Sequence, residues 1–173
     1  MSKKAIMAGL SAVVLFQVFV LATEYLNAVY PLWTGREVRL KTVPRDPRSL
    51  FRGNYARLNY AINTVPRSDI AADDRIRNHE IVYVKLKPGP DGLHVYDGAS
   101  LEEPVDGLFI RGRVQMPRWH SRAYDYRLRY GIEAYFAPKD KALALEKKLR
   151  RGGVAKIMIA KNGKATLKEV LPE

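Results

Sequence analysis

The 173-residue chain contains no cysteine. A disulfide framework, thiolate metal sites and a cysteine nucleophile are therefore excluded. The compartment stays open, because the absence is merely compatible with an oxidising one. Histidine is scarce: His79, His94 and His120 stand far apart without HExxH or similar spacing, so neither a metal nor a cofactor is expected. No GxSxG elbow, Ser/Lys spacing or Lys-Gly phosphate loop occurs. Internal repeats, low-complexity tracts and a second domain are also missing. Acidic residues are outnumbered, 18 against 30 basic ones, for a formal charge of +12. What is present, 47% hydrophobic and 28% charged residues, is the profile of one folded domain.

The N-terminus opens with a basic stretch, Met1 to Lys4, followed by the uncharged run Ala5 to Ala22, in which only Ser11 and Gln17 are polar. As a helix these residues span ~27 Å, adequate for a bilayer core. Tyr25, Tyr30 and Trp33 continue it as an aromatic stem, and Glu24 falls at or beyond the outer interface. Lys3 and Lys4 predict the N-terminus inside and the rest outside. A cleaved signal peptide ending at Val20-Leu21-Ala22 is the competing reading, and a buried core helix is a third. With Lys3 and Lys4 set apart, the part beyond the apolar run carries 28 basic and 18 acidic groups. Its field attracts polyanions and anionic head groups, although a soluble basic surface would look the same. A glutamine in mid-membrane has little use in a lipid-only tether, so Gln17 is a candidate for a hydrogen bond to a neighbouring helix.

Residues 1–34 thus read as anchor and stem, and 35–173 as one β-rich domain. Gly35 to Val43 alternates, with Val38 and Leu40 on one face and Arg39 and Lys41 on the other. Strand character returns over Tyr55 to Val65, with Leu58, Tyr60 and Ile62 on one face. Pro66 to Asn78 reads as a surface excursion. Ile81 to Leu86 is a strong strand, turning at Pro88 to Gly92 into a partner from Leu93. Leu108 to Val114 and Tyr126 to Phe136 are two more strands. Asp140 to Arg151 predicts a helix, with Asp140 as N-cap and Gly152 as left-handed stop. Asn162-Gly163 between apolar runs predicts a terminal hairpin. The fold class is mainly antiparallel β, as a barrel-like sheet or a sandwich, with one helix in the C-terminal half and an N-terminal transmembrane helix.

The least ordinary stretch is PRDPRSLFRGNYARLNY, Pro44 to Tyr60. Arg45, Arg48, Arg52 and Arg57 surround Asp46, and Gly53 permits a backbone conformation that other residues resist. Clustered guanidinium groups could grip a carboxylate or phosphate. Equally, Asp46 could bond arginines or loop amides and hold the turn. The segment resembles the GDYXXLXY proteins, whose motif here reads Gly53-Asn54-Tyr55-Ala56-Arg57-Leu58-Asn59-Tyr60. DPRSLFR (Asp46 to Arg52) and YGIEAYF (Tyr130 to Phe136) followed by Pro138 are similar to that family too, as is the order of elements over nearly the whole chain. Asn54 departs from the motif, which has Asp there. An activity needing that carboxylate would be lost, whereas a turn-capping role would survive. The resemblance implies a membrane-anchored bacterial protein that accompanies multi-pass membrane proteins; it implies a location and a partner rather than a reaction.

A second cluster interleaves Arg111, Arg113, Arg118, Arg122, Arg127 and Arg129 with Trp119, His120, Tyr124, Tyr126 and Tyr130. Such a pattern suits base stacking, but an exterior location argues against nucleic acid. Together with Gln17 and Trp33, the residues Trp119, His120 and Tyr124 are candidates for membrane or partner contact. Glu133 lies within YGIEAYF and either faces solvent or reaches an arginine of the Asp46 loop. The leading expectation is a non-catalytic accessory or scaffold protein of the bacterial inner membrane. Its N-terminus would be cytoplasmic, its domain periplasmic or otherwise extracytoplasmic, and its partner an integral-membrane protein. Two rivals remain: a hydrolase-type enzyme around Asp46, Arg48 and Arg52, and a module binding anionic lipid or a carboxylate or phosphate ligand.

Overall fold

The computed structural model describes residues 2–43, 55–70, 76–116, 125–136, 149 and 152–172. The N-terminal helix α1 (Lys3–Thr34) takes up 32 residues, ~48 Å at 1.5 Å per residue. Ser2 caps it by accepting from the Ala5 N–H at 3.3 Å. The helix runs through Ala22 and the aromatic stem without interruption, so apolar run and stem are one element. The apolar stretch is long enough to cross a membrane and none of it is covered by the domain. Only Pro31 of α1 is buried.

The strands are β1 (Arg36–Thr42), β2 (Tyr55–Arg57), β3 (Thr64–Pro66), β4 (Ile81–Pro88), β5 (His94–Ser100), β6 (Leu108–Gln115), β7 (Asp125–Arg129), β8 (Ala134–Phe136), β9 (Gly153–Ile159) and β10 (Ala165–Pro172). All pairings are antiparallel. They form a five-stranded sheet in the order β3-β7-β6-β4-β5, a three-stranded sheet β1-β9-β10 and the pair β2-β8. Three links nearly close these around one core: Thr42 bridges Tyr60, Val43 N–H donates to Asn59 O at 2.9 Å, and Arg111 N–H donates to Gly163 O at 2.8 Å. The core lies between the three- and five-stranded sheets, with Val38, Leu40, Val82, Val84, Ile110, Val114, Leu128 and Ile157 fully or almost fully buried. Each such side chain contributes about 1.5–3 kcal/mol.

The alternation of β1 is as expected, with Val38, Leu40 and Thr42 inward. Two long strands expected from sequence are broken instead. In the first, Ala61–Asn63 form a single helical turn between β2 and β3. The Asn63 side chain accepts from the Tyr60 N–H at 2.9 Å and donates to Leu128 O at 3.3 Å. A local side-chain bond thus replaces the sheet ladder, although Leu58, Tyr60 and Ile62 are all buried. In the second, Tyr130 to Glu133 separate β7 from β8, with Gly131 at φ +84°. The excursion after Pro66 is not wholly on the surface, since Ile70 and Ile76 enter the core. Of the helix expected over Asp140 to Arg151, Leu149 alone is among the described residues, packed against the core. Gly152 follows at φ +107°, as a left-handed stop requires.

Candidate functional site

The two segments that carry the family resemblance lie side by side. β2 pairs with β8 in the register Tyr55↔Phe136, Ala56↔Tyr135 and Arg57↔Ala134. Leu58 N–H extends the ladder to Glu133 O at 2.8 Å. Beyond it, the Tyr60 hydroxyl donates to Ile132 O at 2.6 Å, and the Tyr130 hydroxyl donates back to Ile62 O. Each phenol satisfies a carbonyl next to the other's own chain segment. Burial, and secondly the Glu133 charge, push both phenols well above the ordinary tyrosine range. They are donors held neutral, suited to structure rather than proton transfer. The motif residues Leu58 and Tyr60 are therefore part of a buried clasp.

Glu133 is half-buried beside this clasp. Its carboxylate accepts from the Tyr130 N–H at 2.5 Å and the Gly131 N–H at 3.1 Å, which stabilises the break between β7 and β8. The structure thus joins Glu133 to the motif through its backbone. Arg45, Asp46, Arg48, Arg52, Gly53 and Asn54 lie outside the described residues, as do Trp119, His120 and Tyr124. Gln17 and Trp33 are exposed on α1.

Next to Glu133 a cleft of about 430 Å³ opens, lined by Arg111, Arg113, Arg129, Lys164, His79 and Glu133 among others. Strand alternation places Arg111, Arg113 and Gln115 on the outer face of β6, opposite buried Ile110, Gly112 and Val114. The same rule puts Arg127 and Arg129 on the outer face of β7 around buried Leu128. Register then sets Arg113 directly across from Arg129, a like-charge pair that is unfavourable in an antiparallel sheet. Three lysines elsewhere are held in ion pairs, Lys87–Asp97, Lys156–Glu169 and Lys168–Glu37. Among the described residues no ion pair is made by Arg111, Arg113 or Arg129. Arg113 donates instead to His79 O at 3.0 Å, and His79 sits at φ +69°. Three of the arginines were visible in sequence as one cluster. His79 and Lys164 were not, because only the tertiary fold brings them there.

Lys164 also ties the cleft to the anchor. Pro31 has no N–H, so the Asn27 carbonyl one turn earlier loses its helical donor. Lys164 Nζ supplies the replacement at 2.8 Å. The Thr166 hydroxyl reaches Ala28 O at 3.3 Å, and α1 packs on β9 and β10. Lys164→Met should cost about 1 kcal/mol. That cost should largely vanish in a Pro31→Ala background, where the new N–H serves Asn27. A double-mutant cycle on thermal unfolding of the full chain in detergent measures this coupling.

No curated protein and no solved structure matches the chain significantly. The model of the GDYXXLXY protein family, in contrast, matches residues 17–170. That span runs from the middle of α1 to the last strand and takes in the clasp, the cleft and the latch on the anchor, and on it the chain belongs to the GDYXXLXY family.

Proposed function

We infer that this protein is a membrane-anchored accessory or scaffold protein that performs no catalysis and engages an integral-membrane partner through α1. In this reading the N-terminus is cytoplasmic and the domain lies on the opposite face of a bacterial inner membrane. The observation that carries it is the latch at Asn27 and Ala28, where Lys164 and Thr166 fasten the domain to an uninterrupted helix. A simple tether needs no such fixation, whereas a scaffold must present its domain in a set direction. The exposed Gln17 within the apolar run supplies a polar contact suited to another helix.

A photo-crosslinking residue at Gln17, activated in intact membranes, tests this. The expected result is one discrete heavier product containing a multi-pass protein, with no such product from the same probe at Leu15, placed about 20° from the opposite helix face. Equal labelling from both positions, or lipid adducts only, would overturn the partner assignment.

A further inference from the structure

We propose that the cleft between β6, β7 and the β9–β10 turn binds the phosphate of an anionic phospholipid head group. The lipid would belong to the leaflet from which α1 emerges, and the assignment rests on the membrane-anchored reading above. Charge is the first argument. The described lining sets four cations, Arg111, Arg113, Arg129 and Lys164, against the single carboxylate of Glu133. Both oxygens of that carboxylate already accept backbone N–H groups. Guanidinium groups without carboxylate partners are ready to take a phosphate in bidentate fashion. The Arg113–Arg129 juxtaposition is a cost that a bound anion would remove. A cleft of about 430 Å³ is within the range of small-molecule sites.

Depth in the membrane is the second argument, and it chooses the source of the phosphate. The uncharged run ends at Ala22, and Asn27 lies five residues further along α1, ~7.5 Å beyond the apolar edge. The head-group layer occupies about 5–7 Å on each side of the hydrocarbon. Lys164, which lines the cleft, is hydrogen-bonded to Asn27 O at 2.8 Å. One wall of the cleft is thus held at the outer margin of the head-group layer by the same side chain that latches the domain.

The test uses the full chain in nanodiscs of phosphatidylcholine alone or with 30% phosphatidylglycerol, followed by thermal unfolding of the domain. Phosphatidylglycerol should raise the wild-type midpoint by several degrees, since a ligand of the native state stabilises it. Arg129→Gln should lose that rise. In phosphatidylcholine alone its midpoint should equal or exceed that of wild type, because one member of a like-charge pair is gone. Lys41→Gln, which removes the same charge from exposed β1, should keep the rise. Arg113→Gln provides a second cleft variant. An equal loss in Lys41→Gln would reduce the effect to general surface charge and overturn the site. A lower midpoint of both cleft variants in phosphatidylcholine, with the phosphatidylglycerol rise intact, would assign the arginines to structure and likewise overturn it. Inorganic phosphate matching the phosphatidylglycerol rise in neutral discs would overturn the lipid source. A chain that elutes apart from the discs refutes the anchored reading and the lipid site with it. A chain retained in discs but indifferent to phosphatidylglycerol refutes the cleft alone.

Discussion

Gly163→Val should destabilise the domain by about 2–5 kcal/mol, a large share of a typical stability of about 5–15 kcal/mol. Two costs add. Gly163 has φ +75°, where a side chain costs about 1–2 kcal/mol and a β-branched one more. A Cβ there would also lie 2.7 and 2.8 Å from Phe109 ring carbons and 3.1 Å from Arg111 N. Crowding of this kind costs about 1–3 kcal/mol. The ring has little room to retreat, because Tyr83 meets it edge-on with centroids 5.7 Å apart. The loss should appear as a lower urea midpoint in the β signal of the full chain, while the helical signal of α1 persists. Gly163→Ala in a Phe109→Leu background should recover part of the loss, leaving mainly the backbone term. Should Gly163→Val unfold at the wild-type midpoint, the closure between the hairpin and the five-stranded sheet is not needed for stability.

The second large effect is expected at the clasp. Tyr60→Phe and Tyr130→Phe each strand a buried carbonyl, Ile132 O and Ile62 O respectively, at about 1–3 kcal/mol apiece. Both rings keep their packing, so the change reports the hydroxyls alone. Because the two bonds close one loop, the double variant should deviate from additivity. Tyr126→Phe is the control. Its hydroxyl accepts from Arg67 at an exposed site, and its loss should cost no more than about 0.5 kcal/mol. The clasp also fixes a pH dependence. The phenols are raised in the folded state by burial and then by Glu133. Their contribution is therefore fully present below the unfolded tyrosine value of about 10. Above it, the unfolded chain releases protons that the folded chain retains, and stability falls. The double Phe variant should lose stability less steeply between pH 10 and 11 than wild type. An unchanged alkaline slope would show that Tyr60 and Tyr130 do not couple to folding.

Elements governed by one periodicity could be read from residues alone. α1, the inward Val38 and Leu40 of β1, the strand at Ile81 and the hairpin around Asn162-Gly163 are of this kind. The breaks at Ala61–Asn63 and Tyr130–Glu133 could not, because each depends on a side chain bonding backbone groups. Asn63 turns back to Tyr60, and Glu133 to Tyr130 and Gly131. Apolar alternation continues across both breaks and hides them. For the cleft, Arg111, Arg113 and Arg129 were legible as a cluster. Which of them oppose one another is a matter of register, and register is set by pairings across the sheet. Lys164 joined only because the hairpin turn docks on β6. The role of Tyr60 was also hidden, since a buried tyrosine at the end of a motif does not announce its distant carbonyl.

Pro31, the one buried residue of α1, stands two heptads beyond Gln17. At 3.6 residues per turn the two positions fall within about 40° of each other around the helix axis. In the membrane-anchored reading proposed above, the side of α1 that would offer Gln17 inside the bilayer is therefore the side that packs on the domain at Pro31. A helix that accepted Gln17 would emerge on the domain's side of α1, and its outer loop would meet the domain. Membrane recognition and domain contact would then be two storeys of a single interface, aligned by the pitch of one helix.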